Sequence, residues 1–246
     1  MITLKSCPNC DSQRINEYRV LSGGGYLAVQ MIPGVTVNAQ LVTRYCVCQN
    51  CHLIFQNPRL SDTELNTYYD TGYYRRTINP PPEGMDKSEE DRAKLDAEII
   101  KKYIDKVTSH FDIGCGRGYL LEEVGAKIKV GTESDIDYVR AKGVKVYSDM
   151  DKVPPKKFGL VTAIHTLEHV PYPLEYLKTM VKFLDKEGFC VIEVPSFKTR
   201  GGPLGFAHLS HFEPDVLRYM CREVGLSILE TKFTPHLLLI CKLDHK

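Results

Sequence analysis

Phe111-Asp-Ile-Gly-Cys-Gly-Arg-Gly-Tyr-Leu-Leu121 decides how this chain is read. The apolar run from Val107 to Ile113, interrupted by Thr108, Ser109 and His110, has the character of a buried strand. It stops at Gly114, Gly116 and Gly118, and the helix formers Tyr119-Leu120-Leu121-Glu122-Glu123 follow at once. A strand, a tight turn and a helix start therefore succeed one another. Glycine has no side chain to keep a ligand away from the backbone, and the helix N-terminus beside the turn offers unpaired N–H groups. A nucleotide-type ligand is the first expectation for such a turn.

The spacing Gly114-x-Gly116-x-Gly118 differs from the dinucleotide pattern G-x-G-x-x-G, and Asp112 stands just before the first glycine. A carboxylate there repels a pyrophosphate and suits a cationic ligand or an amino-acid ammonium group, which points to S-adenosylmethionine (SAM). Asp112-Ile-Gly-Cys-Gly-Arg-Gly118 resembles motif I of the class I SAM-dependent methyltransferases. The resemblance implies that Asp112, Gly114, Cys115 and Gly116 border the cofactor. A glycine-rich βα turn without a ligand is the plainer alternative.

Strands and helices alternate from about residue 106 onward, which predicts an α/β fold with a parallel, doubly wound sheet and ligands at the carboxyl ends of its strands. Ala126 to Gly131 reads as the second strand, ending at Thr132-Glu133. An acid about 20 positions after a glycine turn can accept hydrogen bonds from ribose hydroxyls, and Glu133 lies there, with a helix N-cap as the alternative. Val144 to Tyr147 reads as the third strand, before Ser148-Asp149-Met150. The resemblance implies that Asp149 flanks the adenine; a turn residue is the other reading.

The fourth strand, Phe158 to Ile164, runs into His165-Thr-Leu-Glu168-His169-Val-Pro171, which resembles the L-E-H-V-x-x-P signature of small-molecule methyltransferases. This implies His165 beside the methionine end of SAM, and Glu168 and His169 near the substrate or stabilising the loop; structural histidines are the alternative. A helix over Tyr172–Leu184 and a fifth strand over Gly188–Val194 follow, and Pro195 ends that strand. The Gly/Pro-rich loop from Ser196 to Ser210 delivers His208-Leu-Ser-His211-Phe212, similar to the H-L-x-H-F of related methyltransferases. His208 and His211, with His169, are the general-base candidates, because imidazole titrates near operating pH. A helix over Pro214–Glu223 and an antiparallel pair, Leu226–Thr231 with His236–Leu243, close the sheet. The resemblance implies a Rossmann-like, mostly parallel, seven-stranded sheet.

Cys7-Pro-Asn-Cys10 and Cys48-Gln-Asn-Cys51 are two knuckles of the kind that holds structural zinc tetrahedrally. Gly23-Gly24-Gly25 and Pro33-Gly34 supply turns between the β-rich runs Tyr26–Ile32 and Gln40–Tyr45, so the chain returns as a hairpin. So small a region buries too little apolar surface to fold unaided, and a metal staples it. Cys46 or His52 is a possible substitute ligand; reduced structural cysteines or a redox pair are the alternatives. The run from Cys48 through Pro58 to Tyr69 resembles the N-terminal zinc ribbon of bacterial class I methyltransferases that act on sugars, polysaccharide precursors and other small molecules.

These readings divide the chain into a zinc ribbon (1–60), a helical linker or lid (61–105) and a methyltransferase domain (106–246). In the linker, Ser61-x-x-Glu64 predicts a capped helix start, and the tyrosines and arginines of Tyr68–Arg76 line a substrate mouth or pack as an aromatic linker. Ser88 to Tyr103 predicts an amphipathic helix with Leu95, Ile99, Ile100, Tyr103 and Ile104 on its apolar face.

With 246 residues and 43% apolar content the chain has enough for a core, and its net charge of +1 gives no global attraction to nucleic acid or anionic membrane. No apolar run reaches membrane-spanning length and no signal peptide is visible, so a cytoplasmic protein is expected. Nine cysteines grouped in C-x-x-C pairs favour metal over disulfides in that compartment. The expected acceptor is a small molecule: a sugar, sugar nucleotide or related metabolite, methylated on oxygen or carbon. The alternatives are an RNA methyltransferase that uses the zinc ribbon to hold RNA, with Arg75-Arg76 and Lys198–Arg200 as its basic residues, and a SAM-binding scaffold. The fourth-strand loop lacks the (D/N/S)-P-P-(Y/F) element of DNA amino-methyltransferases and the Pro-Cys nucleophile of cytosine C5 enzymes.

Overall fold

A computed structural model describes residues 1–21, 43–70, 84–196, 208–234 and 236–244. The expected turn glycines and first β-run of the hairpin, the Arg75–Arg76 pair, and most of the loop between 196 and 210 lie outside the described residues. Among the described residues, no helix is long and apolar enough to cross a membrane.

The fold is α/β, as the alternation predicts, and its centre is a seven-stranded sheet. It is built from β4 (Ser109–Ile113), β5 (Ile128–Thr132), β6 (Lys145–Tyr147), β7 (Phe158–Ile164), β8 (Leu184–Val194), β10 (Leu226–Phe233) and β11 (Leu237–Leu243), in the spatial order β10-β11-β8-β7-β4-β5-β6. β4 pairs in parallel with both β5 and β7, while β11 runs antiparallel to β8 and β10. All five residues of β4 are buried, as a strand covered on both faces requires. Strand order reverses between β4 and β7, so a crevice opens at their carboxyl ends.

One face of this sheet is covered by α2 (Met85–Lys101) and α3 (Tyr119–Val124): Ala93, Ala97 and Ile100 meet Leu120, Val124, Leu160, Val191 and Ile240. Ile99, Ile100 and Ile104 are buried as expected, but Leu95 is 43% exposed. The buried stripe runs through Ala93 and Ala97 instead, whose small side chains let the helix lie close, and Leu95 is about 200° round the helix from Ala93. On the other face, α4 (Pro173–Met180) and α5 (Pro214–Glu223) set Leu177, Met180, Val216, Leu217 and Met220 against Phe111, Phe158 and Val161. The helix expected to reach Leu184 stops at Met180, and β8 starts at Leu184 rather than Gly188. Leu184 pairs with Phe158, and the ladder then jumps to Phe189 opposite Leu160, so Asp185–Gly188 bulge out as part of the strand.

The N-terminal region contributes β1 (Ile15–Leu21), β2 (Thr43–Cys48) and β3 (Ile54–Gln56), all antiparallel. A fourth strand, β9 (Ser210–His211), comes from the far end of the chain and pairs with β3 through Ile54 and Phe55. Cys7, Cys48, Cys51, Leu53 and Phe55 belong to the same apolar cluster as Phe212, Val216 and Met220. The cysteine-bearing region and the larger sheet thus share a core. Between β3 and the crevice lies α1 (Asp62–Asp70), whose start is the capping box read from the sequence: Glu64 N–H donates to Ser61 Oγ at 3.3 Å and Glu64 Oε2 accepts from Ser61 N–H at 2.8 Å.

Candidate functional site

The turn after β4 has Gly114, Gly116 and Gly118 at φ of 71°, 56° and 82°. A side chain at Gly114 would place its Cβ 2.4 Å from Thr166 Oγ1, so only glycine fits both the dihedral and the space. Gly114 N–H donates to Thr132 Oγ1 at 3.2 Å and Gly116 N–H to Glu133 Oε2 at 3.0 Å, so the end of β5 clamps the turn. Cys115 is buried beneath it: its N–H donates to Thr132 O at 2.8 Å, and its thiol fills the space that a side chain on Gly131 would need.

A cavity of about 610 Å³ opens above this turn. Gly114, Thr132, Glu133, Ser148 and Asp149 line it, together with Tyr69, His165, Thr166, His169, Tyr172 and Tyr176. The sequence candidates Gly114, Glu133, Asp149, His165 and His169 thus face one space. Asp112, Cys115, Gly116, His208 and His211 do not line it.

Asp112 lies under the turn, 3% exposed, and accepts a hydrogen bond from Thr162 Oγ1 at 2.5 Å. Direct contact with a cationic ligand, expected from its place before Gly114, therefore gives way to a supporting position. Burial pushes its carboxyl up to about 7, and the charge of Glu133 adds to the rise. His110 Nε2 lies 2.8 Å from the same Thr162 hydroxyl, and burial pushes that imidazole down to about 3. Glu133 also accepts from Ser134 Oγ and Asp135 N–H, both at 3.3 Å. Asp149 is solvent-exposed; it accepts from Lys152 N–H at 3.1 Å and pairs with Lys152 Nζ at 3.2 Å, so it caps a turn as well as facing the cavity.

Beyond β7 the chain turns sharply at His165, whose φ is 50°. His165 Nδ1 is 3.3 Å from Glu168 Oε1, and Nε2 is 3.1 Å from Glu193 Oε1. Burial alone favours a neutral ring, yet the two carboxylates outweigh it and lift the imidazole to about 9. Glu168 is 1% exposed, and despite burial the neighbouring His165, His169 and His208 pull its carboxyl down to about 2. His169 Nδ1 lies 3.3 Å from Tyr69 Oη, and its ring stands 5.0 Å from that of His208. His208 is 5.8 Å from His211 in turn, centroid to centroid. His211 is only 3% exposed, packs edge-on to Tyr45, and burial pushes it down to about 3. The three base candidates thus form a file leading inward from the cavity wall, with His169 at its mouth.

Leu209 joins the two halves of this region: its N–H donates to Glu168 O, and its own carbonyl accepts from Gln56 N–H, each at 2.8 Å. Below lie the four cysteines. Cys7 Sγ is 3.6 Å from Cys51 Sγ, and Cys10 Sγ is 3.6 Å from Cys48 Sγ. All four sulfurs lie within 4.8 Å of one another. A tetrahedron with metal–sulfur bonds of about 2.3 Å has edges of about 3.8 Å, close to the two 3.6 Å pairs, so the donor set suits a zinc ion. Asn9 N–H and Asn50 N–H point at Cys7 and Cys48 sulfur at 3.4 and 3.3 Å. Cys46 and His52 stand outside this set.

Several wall residues are not marked by any motif. Asn66 on α1 and Glu175, Tyr176 and Thr179 on α4 line the cavity, and nothing in their spacing marks them. Glu193 and Asp96 were also missed, although a lone acid in the apolar run Cys190-Val-Ile-Glu193-Val was a visible signal. Both are fully buried, and burial together with the Glu193 charge pushes Asp96 up to about 8.

A family model described as a methyltransferase domain matches residues 85–231. A ubiquinone biosynthesis O-methyltransferase of Neisseria meningitidis is 24% identical over 224 residues, spanning 73% of this chain and 91% of the relative. A SAM-dependent methyltransferase of Thermotoga maritima superposes with a TM-score of 0.54 at 18% identity, covering 69% of this chain and 97% of its own. An amino pentose methyltransferase of Micromonospora echinaspora, solved with SAM, gives 0.50 at 17% identity, over 63% of this chain and 91% of its own.

Proposed function

The chain belongs to the methyltransferase-domain family, and from that premise we propose that this SAM-dependent enzyme methylates oxygen or carbon of a small molecule: a sugar, sugar nucleotide or related metabolite. One observation carries the reading. A single cavity is lined both by the turn and acids Gly114, Glu133 and Asp149 and by the aromatic and imidazole side chains Tyr69, His169, Tyr172 and Tyr176. The first set suits SAM, with Glu133 on the ribose and Asp149 toward the adenine; the second suits a hydroxylated acceptor. The named activities of the Neisseria and Micromonospora proteins, O-methylation in ubiquinone biosynthesis and methylation of an amino pentose, support a small-molecule acceptor.

SAM brings a methyl group on a sulfonium, already a good leaving group. The protein's work is to hold acceptor and methyl in line and to keep water out. An acceptor hydroxyl or acidic carbon must also lose a proton, and His169 is the candidate base at the cavity wall. Tyr69 orients its ring from one side, and Glu168 lies 3.7 Å from Nε2 on the other. His208 and His211 stand behind it. Zinc held by Cys7, Cys10, Cys48 and Cys51 would keep β3 in place, and through β9 the segment that carries His208. The test is a screen of sugars, sugar nucleotides and phenols for a SAM-dependent mass gain of one methyl group. His169→Ala is expected to lower turnover by at least about 100-fold, the ordinary contribution of a general base, with SAM affinity kept. Equal turnover in that variant would remove His169 from this role.

A further inference from the structure

We propose that Glu168, His169 and His208 form a second metal centre, separate from the cysteine cluster, that takes a divalent first-row transition ion and presents it to the acceptor end of the cavity. The donor atoms of the three side chains lie within 4.8 Å of one another. Glu168 and His169 sit together in the short helical turn Leu167–His169, and His208 is brought to them by the hydrogen bond from Leu209 N–H to Glu168 O, 2.8 Å long. The rings of His169 and His208 meet at 71°, so their nitrogens approach the shared space from different directions.

The second observation is Glu168 itself. The residue is 1% exposed, Oε1 faces His165 and His169 at 3.3 and 3.7 Å, and Oε2 is buried with no hydrogen-bond partner. An unpartnered carboxylate oxygen away from water is costly unless a cation meets it. Two imidazoles and one carboxylate are a familiar donor set for zinc and iron(II), and the nitrogen donors exclude magnesium and calcium, which prefer oxygen. Tyr69 beside His169 Nδ1 and His165 beside Glu168 are outer partners of the kind that orient metal ligands. The neighbouring group His165, Glu193 and His236 is a weaker candidate, because both nitrogens of His165 already face carboxylates.

Three protein ligands leave coordination positions open toward the cavity that His169 lines. With a ring nitrogen of His169 spent on the ion, that imidazole no longer serves as the base; a hydroxyl bound to the metal instead gives up its proton to solvent more readily. Its oxygen then forms the new bond to the methyl carbon, and the electron pair of the breaking carbon–sulfur bond goes to sulfur; the metal keeps its oxidation state. This last use rests on the small-molecule methyl-transfer reading; the metal centre does not.

Metal content separates the two. The full-length protein, titrated with cobalt(II) in the absence of SAM and acceptor, is expected to bind two equivalents. One gives the intense near-ultraviolet bands of thiolate ligation and resists mild chelation. The other gives only weak visible bands and is removed by mild chelation. His208→Ala, and independently His169→Gln, should lose the second equivalent entirely and keep the thiolate bands, which also report that the N-terminal region is folded. A wild-type protein that binds only the thiolate-type equivalent overturns the proposal, as do variants that keep both. If one equivalent binds and sugars are still methylated, the metal centre falls and the function stands; two equivalents without methyl transfer to any small molecule give the reverse.

Discussion

Gly114 carries more of the site than any side chain around it. Its φ of 71° and the 2.4 Å approach that a Cβ would make to Thr166 Oγ1 forbid any other residue. Gly114→Ala is expected to weaken SAM binding by at least about tenfold, ~1.4 kcal/mol. Gly143, also at positive φ (67°) but with nothing within 4 Å, is the control. Gly143→Ala should cost about 1 kcal/mol of stability and leave SAM affinity unchanged. Calorimetric titration of both variants checks this, and equal affinities would remove Gly114 from the site. Thr162 joins two buried groups that titrate in opposite senses. Asp112 is raised to about 7 in the fold, so it holds a proton that the unfolded chain releases near pH 4, and stability falls as pH rises between those values. His110 is lowered to about 3, so the unfolded chain takes up a proton that the fold refuses, and stability rises with pH up to about 6.5. The two slopes oppose each other from about pH 4 to 6.5. Asp112→Asn leaves the His110 slope unopposed, so its stability relative to the parent should climb over that range, by up to about 1.4 kcal/mol per pH unit. Denaturant melts at several pH values read this out; a constant difference would contradict the account. The glycines and Glu133 were legible because a motif spaces them. The turning of Asp112 beneath the loop was not, since its partner Thr162 is far along the chain and only strand pairing brings them together.

Strand β9 is two residues long, yet it carries His211, follows His208 and completes the N-terminal sheet. Sequence reading placed these histidines at the end of a Gly/Pro-rich loop and had no means to see that Ser210 and His211 pair with β3. A strand this short has no periodicity, and its partner lies at the other end of the chain. The capping box of α1 and the order of β4 to β8 were legible because their signals are local. Leu95 shows the limit of such signals, since size rather than hydropathy decided which face of α2 lies against the sheet. The pairing makes an element-level prediction. Removing the zinc proposed for the four cysteines, by chelation, should raise hydrogen exchange in β2 and β3 and, in step with them, in residues 208–212. The amides of β4 and β7, in the centre of the larger sheet, should stay protected. Exchange that rises only in the N-terminal strands would contradict the coupling of β9 to the cysteine cluster.

Over the whole molecule, the N-terminal region and the larger sheet are joined in one apolar cluster, in which Cys48 and Cys51 sit with Phe212 and Met220. The strand order places the crevice between β4 and β7, and α1 and α4 supply its outer wall. On the reading proposed above, that wall, with Tyr69, Tyr172, Glu175 and Tyr176, faces the acceptor, and it is the part least legible in the sequence. Cofactor turns repeat across a family, whereas an acceptor surface is assembled from isolated residues on separate helices. On the proposed reading the methyl group of SAM goes to a small molecule. The most direct test is to incubate the protein with SAM carrying a labelled methyl group, together with a cell extract, and then to separate small molecules, RNA and protein. Label is expected in the small-molecule fraction and reduced in Gly114→Ala; label recovered in RNA or protein instead overturns this reading.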